Sequence, residues 1–138
     1  MIRARRRLLA TLAAGLLWPA LGGRRLWSLA TPASALPIHL RLVGLLRRPD
    51  SAAFIGRAYL EAEPAEAELG RILALLLPGR SAAALAALPA AELRRLVTAR
   101  HRGDFSEGRT VSLGGWILSR TEARLYAVAA LTADGLSA

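Results

Sequence analysis

Proline and glycine punctuation limits what this chain can build. After residue 35 the apolar residues are mostly Ala and Leu, and Pro49, Pro64, Pro78-Gly79, Pro89 and Gly103 divide them into short segments. Proline removes a backbone donor and clashes inside a helix but is tolerated in its first turn, so each one marks a helix end or a helix start. Residues 36–138 therefore read as a single small, mainly α domain: a bundle of about four short helices with one β-hairpin before the last helix.

Residues 36–46 fit either a strand or the start of a helix, and Arg47-Arg48-Pro49-Asp50 breaks them. Asp50 stands where an N-cap belongs ahead of a helix at 51–62, in which Ala52, Ile55, Ala58, Tyr59 and Ala62 recur at helical spacing. Pro64 suits the first turn of a second helix. Glu66 and Glu68 would sit near its positive end, and Leu69, Ile72, Leu73 and Leu76 would form its buried stripe. Residues 81–88 are Ala-rich and helical. Pro89 then opens a helix at 90–102 with Leu93, Leu96 and Val97 inward, and Gly103 is expected to stop it.

Gly114-Gly115, between 109–113 and 116–118, is a two-residue hairpin signal. Ser119 followed by Glu122 forms a capping box that launches the last helix, 120–132, with Ala123, Tyr126, Ala127, Ala130 and Leu131 on one face. An isolated hairpin is only marginally stable in water, so this one must pack on the helices, and Trp116 is its expected anchor.

Residues 1–35 differ in kind. Arg3, Arg5, Arg6 and Arg7 precede an apolar run of 14 residues at 8–21, and Ala33-Ser34-Ala35 supplies a small-x-small exit. Together these read as an export signal cleaved after Ala35, separate from the domain at 36–138. The run is shorter than the roughly 20 apolar residues a spanning helix needs. An uncleaved anchor, rescued by bilayer thinning and snorkelling arginines, is the rival reading. Arg5-Arg6, Arg7 in the free position and Leu8-Leu9 resemble the twin-arginine (Tat) signal, while Ala4 and Ala10 depart from its pattern and leave a Sec signal open. Arg24-Arg25, ahead of the cleavage site, also resembles the Sec-avoiding charge of many Tat signals. The resemblance implies a bacterial periplasmic protein, with the Tat translocase as transient partner and membrane contact through the signal segment. The anchored alternative places it at the inner membrane.

The formal charge of +9 would ordinarily point to nucleic acid or acidic lipid, but its distribution removes most of that suggestion. Six of the 19 arginines lie in residues 1–35, leaving 13 against 10 Asp and Glu in residues 36–138. Cys is absent, which excludes disulfides, thiolate metal sites and an N-terminal lipoprotein anchor. Arg94, Arg95, Arg100 and Arg102 cluster near one helix end without an aromatic platform among them, so no nucleic-acid partner is expected.

Candidate chemistry is sparse. His101, Asp104 and Ser106 imitate a catalytic set, yet triad members normally come from separate segments, and a helix-end imidazole with a turn cap is the plainer reading. His39 and His101 are 62 positions apart, which is no metal-ligand spacing. Glu61, Glu63, Glu66 and Glu68 fit a solvated face and an acidic first turn better than a hard-cation site. Gly114-Gly115 has no following Lys and reads as a turn. No catalytic residue, metal ligand or cofactor is therefore expected.

The most distinctive stretch is Asp104-Phe105-Ser106-Glu107-Gly108-Arg109-Thr110-Val111, running into Gly115-Trp116-Ile117-Leu118-Ser119-Arg120-Thr121-Glu122-Ala123-Arg124-Leu125. It resembles a segment found near the C-terminus of small Tat-exported bacterial proteins of unassigned activity. Trp116 with Arg109, Arg120 and Arg124 would form a contact patch, since aromatics and Arg are the usual interface anchors. The alternative puts Trp116 in the core and the arginines in pairs with Glu107 and Glu122. Tat cargo commonly comprises cofactor-loaded oxidoreductases and the small subunits that travel with them. The expectation is an accessory, non-catalytic subunit or escort of a larger exported oxidoreductase; the alternatives are a free-standing periplasmic binding module or a signal-anchored membrane protein.

Overall fold

The computed structural model describes residues 36–136. The expectations placed on Arg5, Arg6, Leu8, Leu9, Ala33 and Ala35 fall outside them. The described residues are mainly helical with one antiparallel hairpin before the last helix, as the punctuation predicts.

The ambiguous segment at 36–46 is a short helix, α1 (Ile38–Val43), with Ile38 and Leu42 buried. Helix α2 (Pro49–Ala62) starts earlier than expected, because Pro49 takes the first helical position and Arg48 becomes the N-cap; Asp50 is an exposed first-turn acid and caps nothing with its side chain. Its buried face is Ala52, Ala53, Gly56 and Tyr59. Ala58 and Ala62, expected inward, are exposed, since α2 is turned to bring its smallest residues against another helix.

Pro64 opens a separate 3-10 turn, Pro64–Glu66, and not the next helix. Helix α3 (Leu69–Leu76) begins after Glu68, whose carboxylate accepts from the amides of Gly70 (2.9 Å) and Arg71 (3.0 Å). A carboxylate on those amides satisfies two of the orphan donors of a helix start, which is why the helix begins there. Ser81 caps α4 (Ala82–Ala86) through the Ala84 amide at 3.1 Å. Helix α5 (Ala90–Ser106) runs straight through Gly103. A mid-helix glycine costs only about 1 kcal/mol relative to Ala, and the following Asp104 is tied down by bonds described below. The stop comes at Gly108, which adopts φ 68°.

Strands β1 (Thr110–Leu113) and β2 (Trp116–Ser119) pair with Leu113 opposite Trp116 and Thr110 opposite Ser119. Gly114 and Gly115 both have positive φ, 54° and 84°, as the two-residue turn matched to strand twist demands. Helix α6 (Arg120–Leu136) follows without a linker and extends past the expected end at 132. Ser119 Oγ accepts from the Glu122 amide at 2.9 Å, but the Glu122 carboxylate accepts from the Tyr126 hydroxyl (2.8 Å), so only half of the capping box forms.

Helix α6 is the centre of the domain. It packs most extensively on α2 and also meets α1, α3, α5 and both strands. The main core gathers Leu42, Tyr59, Ile72, Leu76, Leu93 and Val128, and a second cluster, Ala52, Ala53, Ala129 and Ala130, marks where α2 and α6 approach closely.

Trp116 does not anchor the hairpin. It is 75% exposed, while Leu118 and Ser119 are buried and Val111 and Leu113 half-buried. Trp116 sits at the turn end, farthest along β2 from α6, whereas Leu118 and Ser119 lead directly into α6. Trp116→Ala is accordingly expected to change unfolding stability by less than about 0.5 kcal/mol. A shift beyond that in the urea midpoint of the full-length protein would mean the indole supports the fold.

Candidate functional site

The polar groups of the interior form two knots that hold elements together. In the first, Asp104 is 1% exposed and reaches across to the start of α6. Its Oδ2 accepts from the Thr121 amide at 2.7 Å and its Oδ1 from Arg109 Nε at 2.8 Å. The Asp104 carbonyl accepts from the Arg109 amide, and the Arg109 carbonyl in turn accepts from the Arg120 amide. One carboxylate thereby fastens α5, the residue just ahead of β1 and the positive end of α6. Arg109 also pairs with Glu107.

Burial alone would raise the Asp104 pKa, but the Thr121 bonds and the Arg109 guanidinium outweigh it and hold the carboxyl below its ordinary 3.8. A depressed folded pKa contributes stability that is fully present above the unfolded value and is lost as pH falls through the folded one. Asp104→Asn is expected to cost about 2 kcal/mol at pH 7, because Asn keeps one acceptor oxygen and turns its donor Nδ2 toward either the Thr121 amide or Arg109 Nε. It should also flatten the stability profile below pH 4, which urea titrations of both proteins between pH 2 and 7 would measure. A variant profile parallel to wild type would remove Asp104 as a source of acid sensitivity.

His101, Asp104 and Ser106 do not act on one another. His101 Nδ1 bonds Ser119 Oγ at 2.9 Å, with its ring edge-on to Phe105, and Ser106 Oγ donates to the Arg102 carbonyl at 3.1 Å. The Ser–His pair that does form is built on a fully buried serine that already caps α6. Such a hydroxyl is enclosed by the fold and out of reach of a substrate.

In the second knot Arg124 and Glu66 form a bidentate pair, Nε to Oε2 at 3.0 Å and Nη2 to Oε1 at 2.7 Å. The buried Tyr59 hydroxyl donates to Glu66 Oε2 at 2.7 Å, and Arg120 reaches Glu63 at 3.2 Å. The Arg124 bonds lead in holding the Glu66 carboxyl below its ordinary value, and burial leads in raising the Tyr59 phenol. Glu63 and Glu66 are thus committed to arginines of α6, and Glu68 caps α3. Among the described residues, no three His, Asp or Glu side chains gather where they would hold a metal ion.

Arg41 is a buried arginine that pattern reading passed over. Its guanidinium donates to the carbonyls of Leu85 (3.1 Å), Ala86 and Leu88, capping the C-terminus of α4. Its place in an apolar run was the only available signal.

Arg109, Arg120 and Arg124, expected beside Trp116 in a contact patch, each hold a carboxylate within the domain. Glu122, offered as a partner for them, takes Tyr126 instead; burial chiefly, then this bond, pushes the Tyr126 phenol up to about 12. Trp116 does stand at the surface, and its companion is Phe54 of α2, also 75% exposed. The two line one open groove of about 490 Å³, with Ile55, Leu113 and Tyr126 along it. Phe54 gave no sequence signal, because one aromatic on a helix is legible as apolar but not as outward. Adjoining space of about 760 Å³ continues past Ile55 and Tyr126 to Leu45, Leu46, Arg47 and Arg48.

The arrangement therefore offers a surface for contact, while its buried polar groups are engaged with one another. No protein-family model matches the chain, and neither a curated protein nor a solved structure is similar enough to match it.

Proposed function

We propose that the protein is an exported accessory subunit, an escort that folds with or docks onto a larger periplasmic oxidoreductase through a protein–protein interface. The observation that carries the reading is the pair of outward aromatics, Phe54 and Trp116, on one apolar groove of a small domain. Large apolar side chains exposed together on a small domain mark interaction sites. The basic start, apolar run and Ala33-Ser34-Ala35 exit of residues 1–35 support export, and Arg5-Arg6 with Leu8-Leu9 supports the Tat route. The oxidoreductase as partner rests on the kind of cargo that route carries.

A free-standing periplasmic module is the second reading, favoured by the same groove if a ligand fills it. Among the described residues no helix is long and apolar enough to cross a membrane, so an anchored form would depend on residues 1–35. The deciding experiment is affinity purification of the tagged full-length protein from its native host, with mass spectrometry of partners and of its own N-terminus. A stoichiometric oxidoreductase with a start at Leu36 is the expected result. A lone protein starting at Leu36 would sink the escort reading, and an intact N-terminus in the membrane fraction would sink cleavage.

A further inference from the structure

We infer that the groove along α2 is the docking site for an amphipathic helical segment of a partner protein, apolar on one side and acidic at the end that lies over Arg47 and Arg48. The inference deepens the escort reading, and rests on it for the partner being a protein.

Three features point to this occupant. The groove is bounded at one end by Phe54 and Trp116 and floored by Ile55 and Tyr126, so its binding energy would come from large apolar side chains set between two aromatics. At its other end stand Arg47 and Arg48, both exposed. Among the described residues neither makes an ion pair, whereas Arg57, Arg95, Arg109, Arg120 and Arg124 each hold a carboxylate. The acid that lines the groove, Glu122, lies toward the aromatic end, and the stretch lined by Arg47 and Arg48 has no acid along it. Charge complementarity therefore calls for acidic residues over Arg47 and Arg48.

Size agrees. The groove follows α2 from Arg48 to Ala58, about 15 Å at 1.5 Å per helical residue. That length accommodates two to three turns of a docked helix, presenting anchors at i, i+3 or i+4, and i+7. A lipid surface would favour aromatics on a convex face; here they flank a concavity between α2 and the hairpin.

The test uses the full-length protein and a fluorescein-labelled 14-residue helical peptide with Leu and Phe along one side and three Glu at one end. A second peptide carries three Lys in place of the Glu. By fluorescence anisotropy the Glu peptide should bind at least about fivefold tighter than the Lys peptide, with the difference shrinking as salt rises. Trp116→Ala or Phe54→Ala should weaken it about tenfold, and Arg47→Glu with Arg48→Glu should reverse the preference. All four side chains are exposed, so far-UV circular dichroism should be unchanged in every variant. Equal binding of the two peptides, no binding of either, or binding indifferent to Trp116→Ala would overturn the proposal. So would Trp116-dependent self-association in sedimentation, or Trp116-dependent capture by phosphatidylglycerol vesicles without peptide binding.

The same variants separate this proposal from the reading beneath it. An oxidoreductase recovered equally by wild type and Trp116→Ala from the native host would leave the escort reading standing and remove the groove. Peptide binding of the expected pattern, with no enzyme co-purifying, would do the reverse.

Discussion

Gly56→Ala is expected to destabilise the protein by about 3 kcal/mol or more, the upper end for overpacking. A Cβ at that position would lie 2.0 Å from the Tyr126 carbonyl oxygen and 2.8 Å from the Ala127 amide nitrogen. Those are backbone atoms of α6, so no side chain can rotate away and one helix must move off the other. The contact belongs to the most extensive packing in the domain, that of α2 on α6. A protein of this size holds only about 5–15 kcal/mol in reserve. Gly135→Ala makes the comparison, since a Cβ there meets nothing within 4 Å. It should leave stability unchanged or raise it by up to about 1 kcal/mol, the helix-propensity difference between the two residues. Urea unfolding followed by circular dichroism reads both. Equal midpoints for Gly56→Ala and wild type would mean that the two helices are not in backbone contact.

Glu66→Ala should cost about 3–5 kcal/mol, the range for removing one partner of a buried ion pair. It strips the guanidinium of Arg124 of both its bonds to a carboxylate and leaves the Tyr59 hydroxyl without an acceptor. The fully buried Tyr59 hydroxyl would lose its acceptor, and the half-buried Arg124 would keep only a long contact to the Leu75 carbonyl at 3.5 Å. Glu66→Gln keeps an acceptor for Tyr59 and should fall between wild type and alanine. Combining Glu66→Ala with Arg124→Leu should recover part of the loss, because an apolar replacement removes the stranded charge. Additivity of the two single effects in a double-mutant cycle would show that the pair is not coupled. The pH dependence has a definite sign. The Glu66 carboxyl is held below 4.5, so the pair's contribution is whole above that value and disappears as pH falls through the lower folded value.

Local signals were the legible ones. Gly114-Gly115 and Ser119 with Glu122 announced the hairpin and the start of α6, because turn geometry and capping depend on residues within three positions. Pro64 and Asp50 misled by one local step each: a better cap at Glu68 displaced the first, and Pro49 in the first helical position displaced the second. Gly103 misled because a glycine ends a helix only where the next bonds fail, and here Asp104 is pinned to Thr121 and Arg109. Pairings over distance were not legible. Arg124 finds Glu66 across 58 positions and Arg120 finds Glu63 across 57, in a domain offering 13 arginines to 10 acids. The groove was half legible: Trp116 stood out as an interface candidate, but Phe54 joins it only once α2 and the hairpin are side by side.

The central place of α6 sets a timetable for the nascent chain. Helices α1, α2, α3 and α5 and both strands pack on a helix that leaves the ribosome last among the described residues, and Glu63 and Glu66 wait for Arg120 and Arg124. At about 5–20 residues per second of synthesis, the roughly 100 residues separating the N-terminal arginines from α6 take between about 5 and 20 s. Throughout that interval the core residues of α1, α2, α3 and α5 lack the helix that completes their packing. The domain can complete its core only after α6 arrives, and until then chaperones have the first opportunity to engage the chain.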